Sequence, residues 1–262
     1  MIITLTTDFG WSDPFVGIMK GVILGIAPQA QIVDITHDVG AYDITEAAFV
    51  VSSSYSYFPA GTVHVVVVDP GVGTVRRPIA ALARNHYFVA PDNGVLSFVL
   101  HSEAEPPPAV HHISNKELFR GPVGHTFHGR DIFAPIGAYL STGIHLDSVG
   151  EPVSDFISSP FPKAEPRGEG QLIARVVRID RFGNVITDLR PSDLGTDFNI
   201  RIRGLDVKRL CRTFAEGEPG EVFAVEGSTG FIEIALNQGS AAHRLQVLRG
   251  EEIEVETGVL NH

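Results

Sequence analysis

Apolar residues come in two regimes along the 262 residues. In the first half, short and almost wholly apolar runs alternate with stretches of helical periodicity. "IITLTTD" reads as a strand, after which Phe15, Ile18, Met19, Val22, Ile23 and Ile26 recur at helical spacing, with Asp13 as the N-cap and Pro14 at the first helical position. "QIVDIT" is a second strand, Ile44 to Tyr57 a second helix and "VHVVVVD" a third strand. "YFVAPDNG" ends a further strand in a turn, and Asp131 to Leu140 reads as another helix. Strands this apolar are expected where both faces are covered, so residues 1–157 are predicted to form an α/β domain: a mainly parallel sheet with flanking helices.

From Ser158 the pattern changes. "SSPFPKAEPRGEG" packs prolines, glycines and charges together and is read as a linker over 158–170. Beyond it "QLIARVVRID", "NVITDL", "NIRIRG", "EVFAVEG", "FIEIAL", "LQVLRG" and "EIEVET" are short, alternating and separated by Gly, Asp or Asn. Residues 171–262 are therefore expected to form an antiparallel β-barrel or sandwich.

Composition narrows the function classes. With 44% hydrophobic residues the chain can bury a full core. Its net charge of −11 is spread along the sequence, which argues against nucleic acid as a partner. Cys211 is the only cysteine, excluding an internal disulfide and a Cys-based zinc site. No apolar run approaches the roughly 18 residues of a membrane span, and "MIITLTTDFG" has neither a basic segment nor a cleavage site, so no membrane association and a cytoplasmic location are expected.

Candidate chemistry gathers where strands end. In an open parallel sheet, ligands bind beyond the carboxyl ends of the strands, and Asp8 in "TTDFG" and Asp69 in "VVVVDPG" both fall there. Alone, Asp69-Pro70-Gly71 is ordinary turn chemistry and Arg76 and Arg77 are solvated charges; the repetition at two strand ends directs two acids at one crevice. "GVGTVR" lacks the third glycine of a dinucleotide fingerprint, and no phosphate-binding loop is present. In "GHTFHGRDIFAP", His125, His128 and Asp131 follow at three-residue spacing. They fit a metal site, a capping or packing histidine, or a catalytic His128.

Taken together, "TTDFGWSDPFVG", "DPGVGTVRRP", "TFHGRDIFAP", "IDRFGNVITD" and "ALNQGSAA" resemble the S-adenosylmethionine hydrolase family, the hydroxide adenosyltransferases, relatives of fluorinase and chlorinase. The resemblance runs from Met1 to about Ala242. It implies an N-terminal α/β domain, a C-terminal β-barrel, and a homotrimer with its active site at the subunit interface. It implies a catalytic trio of Asp69, Arg76 and His128. Asp8 falls on the ribose hydroxyls, Tyr42 on an aromatic wall for the ribose where fluorinase has tryptophan, Phe127 beside the reacting centre, and Phe182 and Asn184 on the adenosyl group. Asp13, Asp180 and Ser228 fall at the methionine end, and Asn237 belongs to the last substrate-binding motif. Thr229 and Gly129 stand where fluorinase has arginine and serine.

The activity implied is hydrolysis of S-adenosyl-L-methionine to adenosine and L-methionine by water at C5′, with neither cofactor nor metal. The leaving thioether needs no acid, whereas water, with a pKa of about 15.7 in bulk, needs activation. Arg76 stays protonated, so the proton acceptor is His128 or Asp69, and neutral His128 is favoured because a carboxylate paired with a guanidinium is a weak base. Two rival classes remain at this stage. One is a non-catalytic sensor of the same ligand, which would have no use for the trio; the other is a metal-dependent hydrolase built on His125, His128 and Asp131.

Overall fold

The computed structural model describes residues 1–101 and 106–258. The chain divides into two compact units, Met1–Phe161 and Pro162–His262. In the first, β1 (Ile2–Thr7), α1 (Phe15–Ile26), β2 (Gln31–Thr36), α2 (Ile44–Ser54), β3 (Val63–Val67), β4 (Pro78–Ala83), β5 (His86–Pro91), α3 (Ser97–Leu100), β6 (Ala109–His112) and α4 (Ala134–Ser141) follow in order. The strands form one six-stranded sheet in the order β2-β1-β3-β5-β4-β6. The first four in that order pair in parallel, and β4 and β6 add an antiparallel edge.

The apolar run that begins at Val63 explains its own burial. Val63, Val65 and Val67 pack with Met19 and Ile23 of α1 and Ile136 and Leu140 of α4. Val66 and Val68 face the other way, against Ala47 and Val51 of α2 and Val99 and Leu100 of α3. A strand covered on both faces has no polar side to present. His64, on the second face, is the exception. Its Nδ1 lies 2.7 Å from the Thr4 hydroxyl, and burial, with His86 beside it, pushes its pKa down to about 3.

The sheet order also defines the site. The chain leaves β1 through α1 to β2 on one side, then returns through α2 to β3 on the other. Loops after β1 and β3 thus part in opposite directions, the arrangement that opens a crevice at the carboxyl edge of a parallel sheet.

Several elements differ from the sequence expectation. Asp13 caps nothing: α1 begins after Pro14, which occupies the cap position without a side-chain bond. The helix expected from Asp131 to Leu140 opens with a π-helical turn, Gly129–Phe133, that runs into α4. Strands β4 and β6 carry no strong strand signal, since β4 is largely alanine; its hairpin to β5 turns on Arg84 and Asn85, both at positive φ.

The second unit consists of β7 (Glu165–Gly168), β8 (Gln171–Ile179), β9 (Val185–Thr187), β10 (Phe198–Ile202), β11 (Leu205–Val207), β12 (Leu210–Cys211), β13 (Val222–Glu226), β14 (Ile232–Leu236), α5 (Ala241–Leu245) and β15 (Glu252–Thr257). Its order is β11-β10-β15-β8-β9-β14-β13-β12, with β7 on β8; all pairs are antiparallel except β12 with β13. Long β8 pairs with β15 along its first part and with β9 across a register shift at Val176–Arg178, which curls the sheet. The proline-rich stretch read as a linker carries β7. "LQVLRG" is no strand: Ser240 caps α5 by accepting from His243 N at 3.0 Å, and Gln246 ends the helix at φ 54°.

Gly137 lies where α4 crosses β3, and a Cβ built there would stand 2.5 Å from Val65 Cγ2. Alanine gains about 1 kcal/mol in helix propensity, but overpacking a core costs about 1–3 kcal/mol. Gly137→Ala is expected to lower the urea unfolding midpoint; a raised midpoint would mean that α4 can lift from the sheet.

Candidate active site

Asp8 follows β1 directly and is held there by the loop after β2. His37, fully buried, lies 2.8 Å through Nδ1 from the Thr7 hydroxyl, and its carbonyl accepts from Gly10 N at 2.8 Å. Asp8 Oδ2 accepts from Tyr42 N at 2.9 Å, which holds Tyr42 at φ 65°. One carboxylate oxygen is thus committed to the loop. The carboxylate lines a cavity of about 290 Å³ together with Tyr42, Asp69, Phe127 and His128.

Asp69 emerges from the end of β3 into a tight turn that brings Arg76 back onto it. Arg76 Nε donates to Asp69 Oδ1 at 2.9 Å and its Nη2 to Asp69 Oδ2, a bidentate pair with both side chains nearly buried. The guanidinium lies over the Phe133 ring at 5.2 Å. Its Nη2 also lies 2.7 Å from His128 Nδ1. Arginine can only donate, so Nδ1 must accept, the imidazole is neutral, and its proton sits on Nε2. Burial, and then the Arg76 charge, hold His128 below the usual imidazole range, against opposing pulls from Asp69, the Gly124 backbone and Asp131. Arg76 Nη1 is buried without a hydrogen-bond partner among the described residues.

The turn between Asp69 and Arg76 rests on the segment that carries His128. Gly73, at φ 77°, passes so close to it that a Cβ would lie 2.3 Å from the His125 carbonyl oxygen. Only glycine fits both constraints. Gly129 is required for a different reason: a Cβ there would stand 2.9 Å from the Phe127 ring. Phe127 in turn meets Phe9 and Phe15 edge-on at 5.9 and 5.3 Å. These two aromatics line the cavity and were not singled out as site residues from the sequence; their proximity to Asp8 was the available signal.

His125, His128 and Asp131 do not converge. His125 is exposed, whereas Asp131 accepts from Arg130 Nε at 2.6 Å and from Gly124 N at 2.9 Å. Burial raises the Asp131 pKa, but these bonds outweigh it and leave the carboxyl below its usual range. Among the described residues no three His, Cys, Asp or Glu side chains are grouped to hold a metal.

Asp13 is exposed and lies outside the cavity lining. The remaining candidates belong to the second unit. Phe182 and Asn184 line a separate depression with Leu236, Gln238 and Ser240. Asp180 organises their turn: Oδ1 accepts from Phe182 N at 2.9 Å and Asn184 N at 2.8 Å, and Oδ2 from Asn184 Nδ2 at 2.9 Å. Asn237 turns its amide to the Gly217 carbonyl at 2.6 Å, and Ser228 is exposed between β13 and β14. Glu233, buried and pushed up in pKa by burial and by Asp180, escaped the sequence reading because strand alternation assigns it to the polar face.

Residues 3–150 match the N-terminal domain, and residues 174–254 the C-terminal domain, of SAM hydroxide adenosyltransferase. The chain belongs to this adenosyltransferase family. It is 38% identical to an (R)-S-adenosyl-L-methionine hydrolase of Salinispora tropica over 98% of each chain. It is 37% identical to one of Thermus thermophilus over 95% of this chain and 97% of the relative. A fluorinase of Nocardia brasiliensis is 29% identical over 98% of this chain and 97% of its own. Among solved structures, an uncharacterized conserved protein from Thermotoga maritima superposes with TM-score 0.88 at 38% identity, covering 97% of this chain and 99% of the other.

In this adenosyltransferase chain the state of His128 is open to direct measurement. Its midpoint by NMR is expected below the unperturbed value of about 6.5. Arg76→Met should raise it and Asp69→Asn lower it further, since those charges act in opposite directions. A wild-type midpoint above the free value of about 6.5 would mean that Nδ1 does not face the guanidinium.

Proposed function

We propose that the protein hydrolyses S-adenosyl-L-methionine to adenosine and L-methionine, with Asp69, Arg76 and His128 activating the attacking water. The observation that carries the reading is the paired guanidinium of Arg76, bonded to Asp69 and His128 beside the cavity and retaining one buried nitrogen with no partner among the described residues. Water attacks C5′ in line with the sulfonium sulfur. The O–C5′ bond forms as the C5′–S bond breaks, and the bonding pair leaves with sulfur as a neutral thioether.

Hydrogen-bond capacity divides the labour within the trio. His128 Nδ1 has one lone pair, and Arg76 takes it. A carboxylate offers about four acceptor sites, so Asp69 can hold Arg76 and still accept from a water. We therefore assign the water contact and proton acceptance to Asp69, in place of the His128 favoured from sequence. Arg76 supplies positive charge to the developing hydroxide, and neutral His128 holds Arg76 in place. Asp8 receives the ribose hydroxyls on its uncommitted oxygen, with Tyr42 and Phe127 as aromatic walls. Asn184 and Phe182 are assigned to the adenosyl group; Asp180, whose oxygens already serve the turn, would meet the methionine ammonium only through a remaining lone pair.

The hydrolase relatives' names specify the (R) sulfonium epimer, and we extend that preference to this chain. Attack at C5′ is indifferent to the sulfur configuration, so selection must come from the seating of the methyl group and the methionine arm. With this reading go a homotrimer with the active site at its subunit interface and a cytoplasmic location. Support for an interface comes from Phe182 and Tyr42, aromatic yet 76% and 72% exposed in the single chain. No helix among the described residues is long and apolar enough to cross a membrane.

In ¹⁸O-labelled water the label is expected in the 5′-hydroxyl of adenosine, and the (R) epimer should be consumed faster than the (S). Unlabelled adenosine would sink the hydrolytic route. Arg76→Ala removes the charge opposite the forming hydroxide and should cost about 100- to 1000-fold in turnover; near wild-type turnover would return Arg76 to a structural role. Sedimentation should report a trimer, and a monomer with full activity would dismiss the interface.

A further inference from the structure

The turn Asp92–Asn93 follows β5, the neighbour of β3 in the sheet, and lies outside the cavity lining. Its consecutive side chains nevertheless grip both ends of the loop that carries Asp69 and Arg76. Asn93 Nδ2 donates to the Val68 carbonyl at 2.9 Å, on the peptide leading into Asp69. Its Oδ1 accepts from Val95 N at 3.1 Å, which orients the amide. Asp92 holds Arg77, the residue after Arg76: its N–H donates to the Arg77 carbonyl at 2.8 Å, and its Oδ2 accepts from Nη2 at 2.8 Å and Nε at 3.2 Å. Asp92 Oδ1 accepts from Ile157 N at 2.8 Å, so this buried carboxylate is committed on both oxygens.

We propose that Asp92 and Asn93 are positioning residues for the hydrolytic reaction, fixing the separation between the peptide before Asp69 and the one after Arg76. Between these anchors the loop closes on itself. Val72 N donates to the Asp69 carbonyl at 3.2 Å and the Thr74 hydroxyl to the Gly71 carbonyl at 2.7 Å, while Gly73 rests against the His125 backbone. Such a loop moves as a body, and its mouth is where it meets the sheet. Arg76 has several rotatable bonds and could follow a displaced Asp69, but its further contact to His128 belongs to another segment and would then be lost. The turn thus couples the Asp69 pairing to the His128 contact, and a displacement of about 1 Å at a reacting group can cost about 100-fold in rate.

The inference rests on the hydrolytic reading, and its test separates the two. Asn93→Asp keeps the size and the acceptor for Val95 N but turns an oxygen toward the Val68 carbonyl. The kcat on S-adenosyl-L-methionine is expected to fall about 10- to 100-fold, with KM changed less than about twofold, because the groups that bind substrate in ground and transition state alike are untouched. The NMR midpoint of His128, faced by Arg76, Asp69 and Asp131, should rise toward about 6.5 as Arg76 withdraws. Arg77→Gln, at the partly exposed other anchor, should give the same signature and decides the matter if Asn93→Asp does not fold. A folded variant with unchanged kcat and midpoint overturns the proposal, as does a loss confined to KM or a fall in kcat without a midpoint shift. A wild-type protein inert toward S-adenosyl-L-methionine would refute the hydrolytic reading, whereas the midpoint shift would still report the grip on Arg76.

Discussion

A guanidinium cannot give up its proton, so wherever Arg76 is carried out of water it must be met by acceptors. Much of the N-terminal unit is arranged to meet it. Asp69 supplies two oxygens from the end of β3, and His128 supplies a ring nitrogen from the start of the π-helical turn. The second contact has a consequence for the imidazole: burial first, and then the fixed cation beside it, hold it below its usual range. The contact that pairs Arg76 thus also adds to what burial does in keeping His128 unprotonated.

That arrangement depends on backbone placed with little freedom. The switch from β1 to β3 opens the sheet edge where Asp8 and Asp69 emerge, and hydrogen bonds between neighbouring loops then hold them there. Tyr42 sits at φ 65°, a conformation that costs a non-glycine residue on the order of 1–2 kcal/mol. The Asp8 carboxylate bonded to its N–H offsets that cost, so one acid serves both the loop and the cavity. The second unit uses a carboxylate similarly: Asp180 spends its oxygens on the turn that presents Phe182 and Asn184.

The fold was legible in the sequence where burial leaves a periodic trace. A valine run covered on both faces, a helix with apolar residues at helical spacing and alternating C-terminal strands all declared themselves. What stayed hidden was structure without such a trace. Alanine-rich β4 reads as no element, the strand expected at "LQVLRG" is instead the end of α5 and the turn after it, a helix whose signal is the cap Ser240 rather than apolar residues, and Glu233 is buried on a face that alternation calls polar.

By itself the sequence determined the two-part architecture, the acids at the ends of two parallel strands, and the motif set of the adenosyltransferase family, because these follow from local periodicity and residue type. Only the tertiary structure decided who meets whom. That His128 accepts from Arg76, that Asp131 turns to Arg130, and that Asp92 and Asn93 clamp the loop between β3 and β4 depend on strand order and on close backbone approaches such as Gly73 against His125. Hydrogen-bond valence is settled by distances between residues far apart in the chain, and no pattern of neighbours along the sequence encodes those distances.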